Sequence, residues 1–292
     1  MADVYIIWNP IAGNGAAVNT YATVSGALDA RGIPFIVGKS AYPGHAIVLA
    51  KQAIAENCKK IIVLGGDGTV REVATALYGT DVPMGIVPCG TGNDMSRPLG
   101  IPTDPLKALE IALNGTPHHM DAAMVNDELF FNVAGFGFDV DVLDYTEIYK
   151  KKTKNGSLAY LRGLLRAMTD LKNRETTITW PGGTLQKSTL LIAAGNGTHF
   201  GGGMMVTPKA DPFDGLLDIC VIHDVTKLAL LIVLPRFIKG KHLGTKYVTY
   251  FRTTELTAVC DPVSRIDVDG EVMPGTPVTF KILPASLWII RE

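Results

Sequence analysis

Through the first 120 residues, short apolar runs alternate with stretches of helical spacing. Residues 4–8, 35–37, 61–64 and 84–87 are brief, contain Ile and Val, and read as buried strands. Residues 16–31, 45–56, 70–77 and 105–114 read as helices between them. In the second of these, Ala46, Leu49, Ala50, Ala53 and Ile54 fall on one face. Regular alternation of this kind predicts a parallel sheet covered by helices on both faces, a three-layer α/β domain. After about Met120 the pattern changes to strand-like segments at 129–134, 176–180, 190–194, 217–222, 248–251, 256–259, 266–268, 278–283 and 287–290. Only residues 158–171 and 226–238 interrupt them as good helices. Consecutive strands predict a mainly antiparallel β-sandwich or barrel. The chain therefore divides near residue 122, into 1–122 and 123–292, with the last strand a candidate to pack back on the first domain. No Ser/Gly linker marks the division, so the two domains are expected to share an interface and a cleft.

At 292 residues the chain is long enough for two cores. A formal net charge of −1 supplies none of the basic footprint that nucleic-acid binding requires, so no nucleic-acid partner is expected. Cys58, Cys89, Cys220 and Cys260 are far apart and form no Cys-x-x-Cys pair. That suits buried thiols in a reducing cytosol and suggests no zinc site. Asp3 stands where a signal peptide would be basic, and the longest apolar run, 228–234, is too short to span a bilayer. A cytoplasmic protein is expected, with any membrane contact peripheral.

The candidate chemistry lies between strand and helix. Gly65-Gly66-Asp67-Gly68-Thr69 follows the apolar run 61–64 directly. Glycines there let the backbone approach a ligand and turn N–H groups toward it, and a helix N-terminus adds a field that favours anions. Asp67 sets a carboxylate beside this phosphate cradle, an arrangement that makes sense with Mg²⁺ between them. Asn9-Pro10-Ile11-Ala12-Gly13 and Gly90-Thr91-Gly92-Asn93-Asp94 also follow strands, and in a parallel sheet all three segments emerge at one edge. A single glycine loop is a weak signal, but three that converge point to a nucleotide-phosphate site. The alternative is that the glycines serve only tight turns.

Taken with later motifs, these segments resemble the diacylglycerol kinase catalytic family, which includes soluble bacterial lipid kinases and the sphingosine and ceramide kinases. Beyond the three loops, the stretch from Phe131 to Asp139 resembles the family's second domain. Gly195-Asn196-Gly197, Gly201-Gly202-Gly203, Asp214-Gly215-Leu216-Leu217-Asp218 and Asp269-Gly270-Glu271 follow in the family's order, so the likeness spans essentially the whole chain. Gly-Gly-Asp-Gly-Thr alone also occurs in NAD kinases and phosphofructokinases, whose α/β nucleotide domain the first domain is similar to. Arg71 departs from the Asn usual at that position.

The resemblance implies ATP held by Asn9, Pro10, Ile11, Ala12, Gly13, Ser40, Gly65, Gly66, Asp67, Gly68, Thr69, Val70, Arg71 and Thr91. It makes Asp67, Asn93, Asp94 and Asp121 the candidates to hold catalytic Mg²⁺, partly through water, although Asp121 alternatively caps a helix or turn. It places Asp269-Gly270-Glu271 at the cleft, with Glu271 or Asp269 accepting the proton of the lipid hydroxyl. An extended strand there sets residues 269 and 271 on one face; a hairpin turn is the other reading of Asp-Gly. It further implies a second, structural Mg²⁺ at the Asp214 side chain and the backbone oxygens of Asp211 and Leu216, where the alternative is a solvated turn.

The expected activity is ATP- and Mg²⁺-dependent phosphorylation of diacylglycerol to phosphatidic acid. The alternatives are another lipid alcohol (a sphingoid base or a phospholipid headgroup) or a nucleotide-responsive regulator without catalysis. Leu158, Leu161, Leu165 and Met168 share a helical face flanked by Arg162 and Arg166 and preceded by Lys150, Lys151, Lys152 and Lys154. Residues 228–234 are followed by Arg236, Lys239 and Lys241. Apolar surface with a basic border suits the anionic inner face of a membrane; core helices with solvated basic ends are the alternative. A homodimer stays open.

Overall fold

A computed structural model describes residues 3–153 and 156–292. The chain begins with β1 (Val4–Trp8), α1 (Ala16–Ala30), β2 (Phe35–Lys39), α2 (His45–Ala55), β3 (Lys60–Gly65), α3 (Asp67–Leu77), β4 (Met84–Pro88) and α4 (Pro105–Asn114). The four strands pair in parallel in the order β4-β3-β1-β2. Every residue of β1 and β4 is buried, which is why these strands read as unbroken apolar runs. Helix α1 packs with α4 and α2 with α3, so two helix pairs cover the sheet. Asp104 caps α4 by accepting the N–H groups of Leu106 and Lys107, with Pro105 in the first turn.

The rest of the chain forms β5 (Thr116–Val125), β6 (Glu128–Phe130), β7 (Val133–Gly137), α5 (Phe138–Lys150), α6 (Gly156–Thr169), β8 (Arg174–Trp180), β9 (Gly183–Gly195), β10 (Leu217–His223), α7 (Lys227–Ile238), β11 (Val248–Thr253), β12 (Glu255–Asp261), β13 (Ile266–Val268), β14 (Glu271–Met273) and β15 (Val278–Arg291). These strands pair antiparallel in the order β14-β13-β7-β9-β8-β12-β15, with β10 and β11 added at β9 and β5 and β6 at β15. The fold is thus an α/β domain followed by a β-sandwich. Phe130, Phe136, Ile192, Ile219, Val268 and Phe280 fill the space between the sandwich sheets. A separate apolar cluster forms where α5, α6 and α7 meet β9 and β10.

Strand β15 ties the two halves together. Its beginning pairs with β12 and β5, its register shifts between Leu283 and Leu287, and Ile289 then pairs in parallel with Met84 of β4. The expected strands 278–283 and 287–290 are therefore one strand with a bulge, and Ala285 at the bulge has φ of 51°. The expected strand 129–134 is two strands instead, because the N–H groups of Phe131, Asn132 and Val133 turn away from any ladder to the carboxylate of Asp269. The third helix begins three residues earlier than expected, so Asp67, Gly68 and Thr69 form its first turn. Helix α5 was not legible as a helix because its buried side carries acids, Asp139 and Asp141, among Phe138, Val140 and Val142.

Asp141 meets Arg174 of β8 in a forked contact of 2.7 and 3.2 Å, with both side chains buried. This pair fastens α5 to the sheet. Arg174→Met leaves Asp141 charged and unpaired, and is expected to lower unfolding free energy by about 3–5 kcal/mol in urea titration. Arg174→Met combined with Asp141→Leu removes both charges and is expected to recover most of that loss.

Candidate active site

Three loops meet at the carboxyl ends of β1, β3 and β4. The Asn9 N–H donates to the Leu64 carbonyl at 3.1 Å and the Cys89 N–H to the Gly65 carbonyl at 3.0 Å. Asn9 Nδ2 reaches Thr69 Oγ1 at 3.2 Å, so the first loop is pinned to the first turn of α3. Such contact needs glycine. A Cβ on Gly13 would lie 2.2 Å from the Cys89 carbonyl oxygen, at a φ of +58°, and one on Gly90 would lie 2.4 Å from the Gly66 Cα. A Cβ on Gly92 would lie 2.7 Å from Asp67 Oδ2 and 3.4 Å from Asp94 Oδ2, so both carboxylates surround one point of the backbone.

Asp67 opens α3, where the helix field favours a negative charge, and its Oδ1 accepts the Met95 N–H at 3.2 Å. Asp94 Oδ2 accepts the N–H of Gly202 from the second domain at 2.7 Å, while the buried Oδ1 has no hydrogen-bond partner among the described residues and faces Arg97 Nε at 3.6 Å. Burial pushes the Asp94 carboxyl above its ordinary range; the Gly202 N–H works against that and the nearby Asp67 charge adds to it. Two close carboxylates beside a glycine cradle, one with an oxygen that no hydrogen bond occupies among the described residues, are a donor set that fits Mg²⁺.

The second domain faces these loops with the β13–β14 hairpin. Val268 pairs with Glu271, and Asp269 and Gly270 form the two-residue turn with φ of 51° and 92°. The hairpin reading is therefore the correct one for the backbone. Residues 269 and 271 do not lie on one face of an extended strand, because the left-handed turn breaks the alternation. Asp269 is half-buried and accepts three N–H groups, from Phe131 at 2.8 Å and from Asn132 and Val133 at 3.0 Å. Burial raises its carboxyl to about 6, with the three donors and Arg71 opposing the rise. Glu271, more than half exposed, pairs across the cleft with Arg71 of α3 at 2.6 Å. Arg71 is itself largely buried, and its Nε has no hydrogen-bond partner among the described residues.

The remaining sequence candidates are placed as follows. Thr91 lines the cleft beside Asp67, Arg71 and Asp94. Asn93 has φ of 52° and bridges the N–H and the carbonyl of Gly90 with its side chain, so it shapes the loop. Gly68 follows Asp67 in the first turn of α3, and Val70 is buried behind it. Ser40 is buried at the end of β2, its N–H on the Trp8 carbonyl. Pro10 and Ala12 carry the first loop around Ile11, which is exposed. Asp121 is not brought to Asp67 and Asp94. Its two oxygens accept the N–H groups of Gly215 at 2.7 Å and Ala285 at 2.8 Å, which is the capping alternative. In the 211–216 turn, Asp211 accepts the Phe213 N–H, and Asp214 accepts the Leu216 N–H and faces Arg252 at 3.3 Å. Among the described residues no three His, Cys, Asp or Glu side chains cluster as a metal site.

A cavity of about 1240 Å³ runs between the domains. Its polar wall carries Asp67, Arg71, Thr91, Asp94 and Asp269; its apolar wall is built by Phe138, Val142, Leu164, Leu190, Val233 and Phe237. Two acids that sequence reading did not single out, Asp139 and Asp267, also line it. Burial raises both, Asp267 to about 7 and Asp139 well above its ordinary range, and each charge opposes its acidic neighbours. Asp267 alternates with Asp269 in the segment leading to the hairpin. Nothing in its local sequence distinguishes it from a surface strand residue.

Comparison with known proteins now bears on this geometry. Residues 3–125 match the family model for the diacylglycerol kinase catalytic domain, and residues 132–291 match the YegS C-terminal NAD kinase beta sandwich-like domain. A diacylglycerol kinase of Mycobacterium tuberculosis (strain H37Rv) is 31% identical over 300 residues, covering 100% of this chain and 96% of that protein. A Pseudomonas putida protein named "Probable lipid kinase YegS-like" is 36% identical over 246 residues, covering 84% of this chain and 81% of that one. A crystal structure from Bacillus anthracis, described as a candidate diacylglycerol kinase, superposes with a TM-score of 0.81 at 26% identity, over 99% of this chain and 97% of that one. The chain belongs to the diacylglycerol kinase catalytic family, in the group that carries a YegS-type C-terminal domain. It is a lipid kinase, and the family uses ATP.

The raised Asp267 carboxyl has a consequence for stability. The folded protein binds a proton there that the unfolded chain, with an ordinary aspartate near 3.8, has released. Its contribution is therefore complete below about pH 4 and is lost as pH rises through about 7. Asp267→Asn can still accept the Gly270 N–H but cannot ionise. It is expected to match wild type in unfolding free energy at pH 4 and to exceed it at pH 8.

Proposed function

We propose that this lipid kinase transfers the γ-phosphoryl group of ATP to the free hydroxyl of diacylglycerol, giving phosphatidic acid and ADP. The observation that carries this reading is the single cavity in which phosphate-type glycine loops and an apolar chamber share walls. ATP phosphates would lie on the N–H groups of Gly66 to Thr69, at the start of α3, with the loops of Asn9 to Gly13 and Gly90 to Asp94 on either side. Asp67 and Asp94 would hold Mg²⁺, which when bound neutralises charge on the phosphates during transfer. The acyl chains would occupy the wall formed by α5, α6 and α7, which leaves the hydroxyl at the polar end.

Glu271 is the better placed of the two hairpin acids to take the hydroxyl proton. The oxygens of Asp269 are occupied by three backbone N–H groups, which makes it the residue that fixes the hairpin. Among the described residues Glu271 pairs with Arg71, and it reaches solvent. As the alcohol oxygen bonds to the γ-phosphorus, its proton passes to the Glu271 carboxylate and ADP leaves with the bonding electrons. Arg71, in place of the family's Asn, holds Glu271 across the cleft from the phosphate loop. A second Mg²⁺ at Asp214 with the carbonyls of Asp211 and Leu216 belongs to the same proposal, and would compete with Arg252 for the carboxylate. The enzyme would work from the cytoplasm as a peripheral protein at the inner membrane face.

Labelled phosphate transfer from ATP to lipid alcohols in mixed micelles tests the assignment. Diacylglycerol is expected to be labelled in preference to a sphingoid base or phosphatidylglycerol; preference for either of the latter replaces the substrate and keeps the kinase. Asp67→Ala is expected to abolish transfer with the fold intact. Glu271→Gln is expected to lower turnover roughly 10²-fold or more with ATP affinity nearly unchanged. Val233→Trp, which fills the apolar wall, is expected to slow long-chain diacylglycerol more than a short-chain analogue.

A further inference from the structure

Helix α6 settles on α5 through small residues. Ala159, Gly163 and Ala167 are buried, and a Cβ on Gly163 would lie 2.4 Å from Thr146 Oγ1. So close an approach fixes the rotation of α6 about its axis. Leu161 and Leu165 are left exposed, while Tyr160 and Leu164, one turn apart, face the cavity. Lys154, the last of the basic residues expected to precede α6, lies outside the described residues. Leu164 joins the apolar wall. Tyr160 stands one turn away, at the polar end. A Cβ on Gly201 would lie 3.4 Å from the Tyr160 phenol oxygen, and Gly201 belongs to the turn whose Gly202 N–H meets Asp94. The charges of Asp139, Asp267 and Asp94 all act on this phenol, so acids from α5, β13 and the phosphate loops lie around it.

Burial, with those three acids adding to it, pushes the phenol up to about 12. Tyr160 therefore keeps its proton at physiological pH and is a permanent donor. Among the described residues its O–H has no hydrogen-bond partner. A phenol set into a cleft finds an acceptor as a rule, so this one is open to a ligand. Its position says which acceptor. In a diacylglycerol the ester carbonyls lie between the hydroxyl and the acyl chains. Tyr160 lies between the acids of the polar wall and the apolar wall that begins at Leu164. A diacylglycerol with its hydroxyl toward Glu271 and its chains along α5, α6 and α7 carries a carbonyl past the phenol. A sphingoid base has no carbonyl at that level, and a dialkylglycerol has only weakly accepting ether oxygens.

We propose that Tyr160 determines specificity for the lipid: its phenol O–H donates to an ester carbonyl of the bound acylglycerol and so selects ester-linked glycerolipids over alcohols without that carbonyl. The inference rests on the diacylglycerol reading of the cavity. The test compares a diacylglycerol with a dialkylglycerol of the same chain length, in the same mixed micelles, for wild type and Tyr160→Phe. That variant loses one oxygen and keeps the ring that packs on α6. Wild type is expected to use the diester with the higher kcat/KM. In Tyr160→Phe, kcat/KM for the diester is expected to fall roughly fivefold, chiefly through KM, while that for the diether is unchanged. The preference between the two lipids then closes. ATP affinity, measured without lipid, is expected to stay at the wild-type value. Equal losses on both lipids, or a preference that survives in the variant, assign Tyr160 to the packing of α6 and overturn the proposal. Wild type that uses diester and diether equally overturns it too. Wild type that labels neither glycerolipid but labels a sphingoid base overturns the diacylglycerol reading itself, and this inference with it.

Discussion

A half-buried carboxylate in the turn of a hairpin must find donors, and Asp269 finds three in a row on the backbone of another segment. The N–H groups of Phe131, Asn132 and Val133 would otherwise be unpaired where the chain passes from β6 to β7. One side chain thus settles the hydrogen bonding of a strand break and holds the β13–β14 turn against it. The effect spreads from there. The Asn132 carbonyl accepts the N–H groups of Asn196 and Gly197, and the Asn196 side chain reaches the carbonyls of Asp121 and Phe131. The glycine-rich stretch after β9, which brings Gly202 to Asp94, is fixed by this network. Both the acid that meets the phosphate loops and the loop that meets Asp94 therefore depend on one carboxylate.

Polar contacts join the two domains at the cleft. Asp94 reaches Gly202, Arg71 reaches Glu271, and Asp121 joins the 211–216 turn to the bulge of β15. Charge-assisted bonds of this kind are directional, so they fix register between the domains. The bulge matters for a mechanical reason. A straight β15 could not pair with β12 in the sandwich and with β4 of the parallel sheet, and the register shift at Pro284 to Ser286 re-aims it. The cleft between the domains is consequently spanned at one side by a continuous strand.

The cavity and the outer faces of α6 and α7 share a cause. Small residues toward α5 bring α6 close, and its larger side chains are left for the cavity rim and for solvent. Helical periodicity alone cannot tell an inward apolar stripe from an outward one, because both repeat every 3.6 residues. The direction is set by which side can approach a neighbour, and on α6 that side is Ala159, Gly163 and Ala167.

The sequence by itself determined the first four strands and the four helices among them to within three residues. Strands β1, β3 and β4 are buried on both faces and the helices carry apolar stripes, so local period and environment agree. The glycine loops, Asp67, Asp94 and the Asp-Gly hairpin were legible because each needs a particular backbone conformation that few residues adopt. What the sequence left open were features set by partners far along the chain. Helix α5 hides because its buried acids find Arg174 and a cavity that no local pattern announces. Strand β14 is too short to show a period, and β5 begins with exposed polar residues. Asp121 reads as readily as a metal ligand as a cap until Gly215 and Ala285 arrive to bind it. Asp267, Asp139 and the Arg71–Glu271 pair emerge only when tertiary structure brings side chains up to 200 positions apart into contact. Composition and spacing specify what a segment is able to do, but burial and pairing depend on the neighbours that folding supplies.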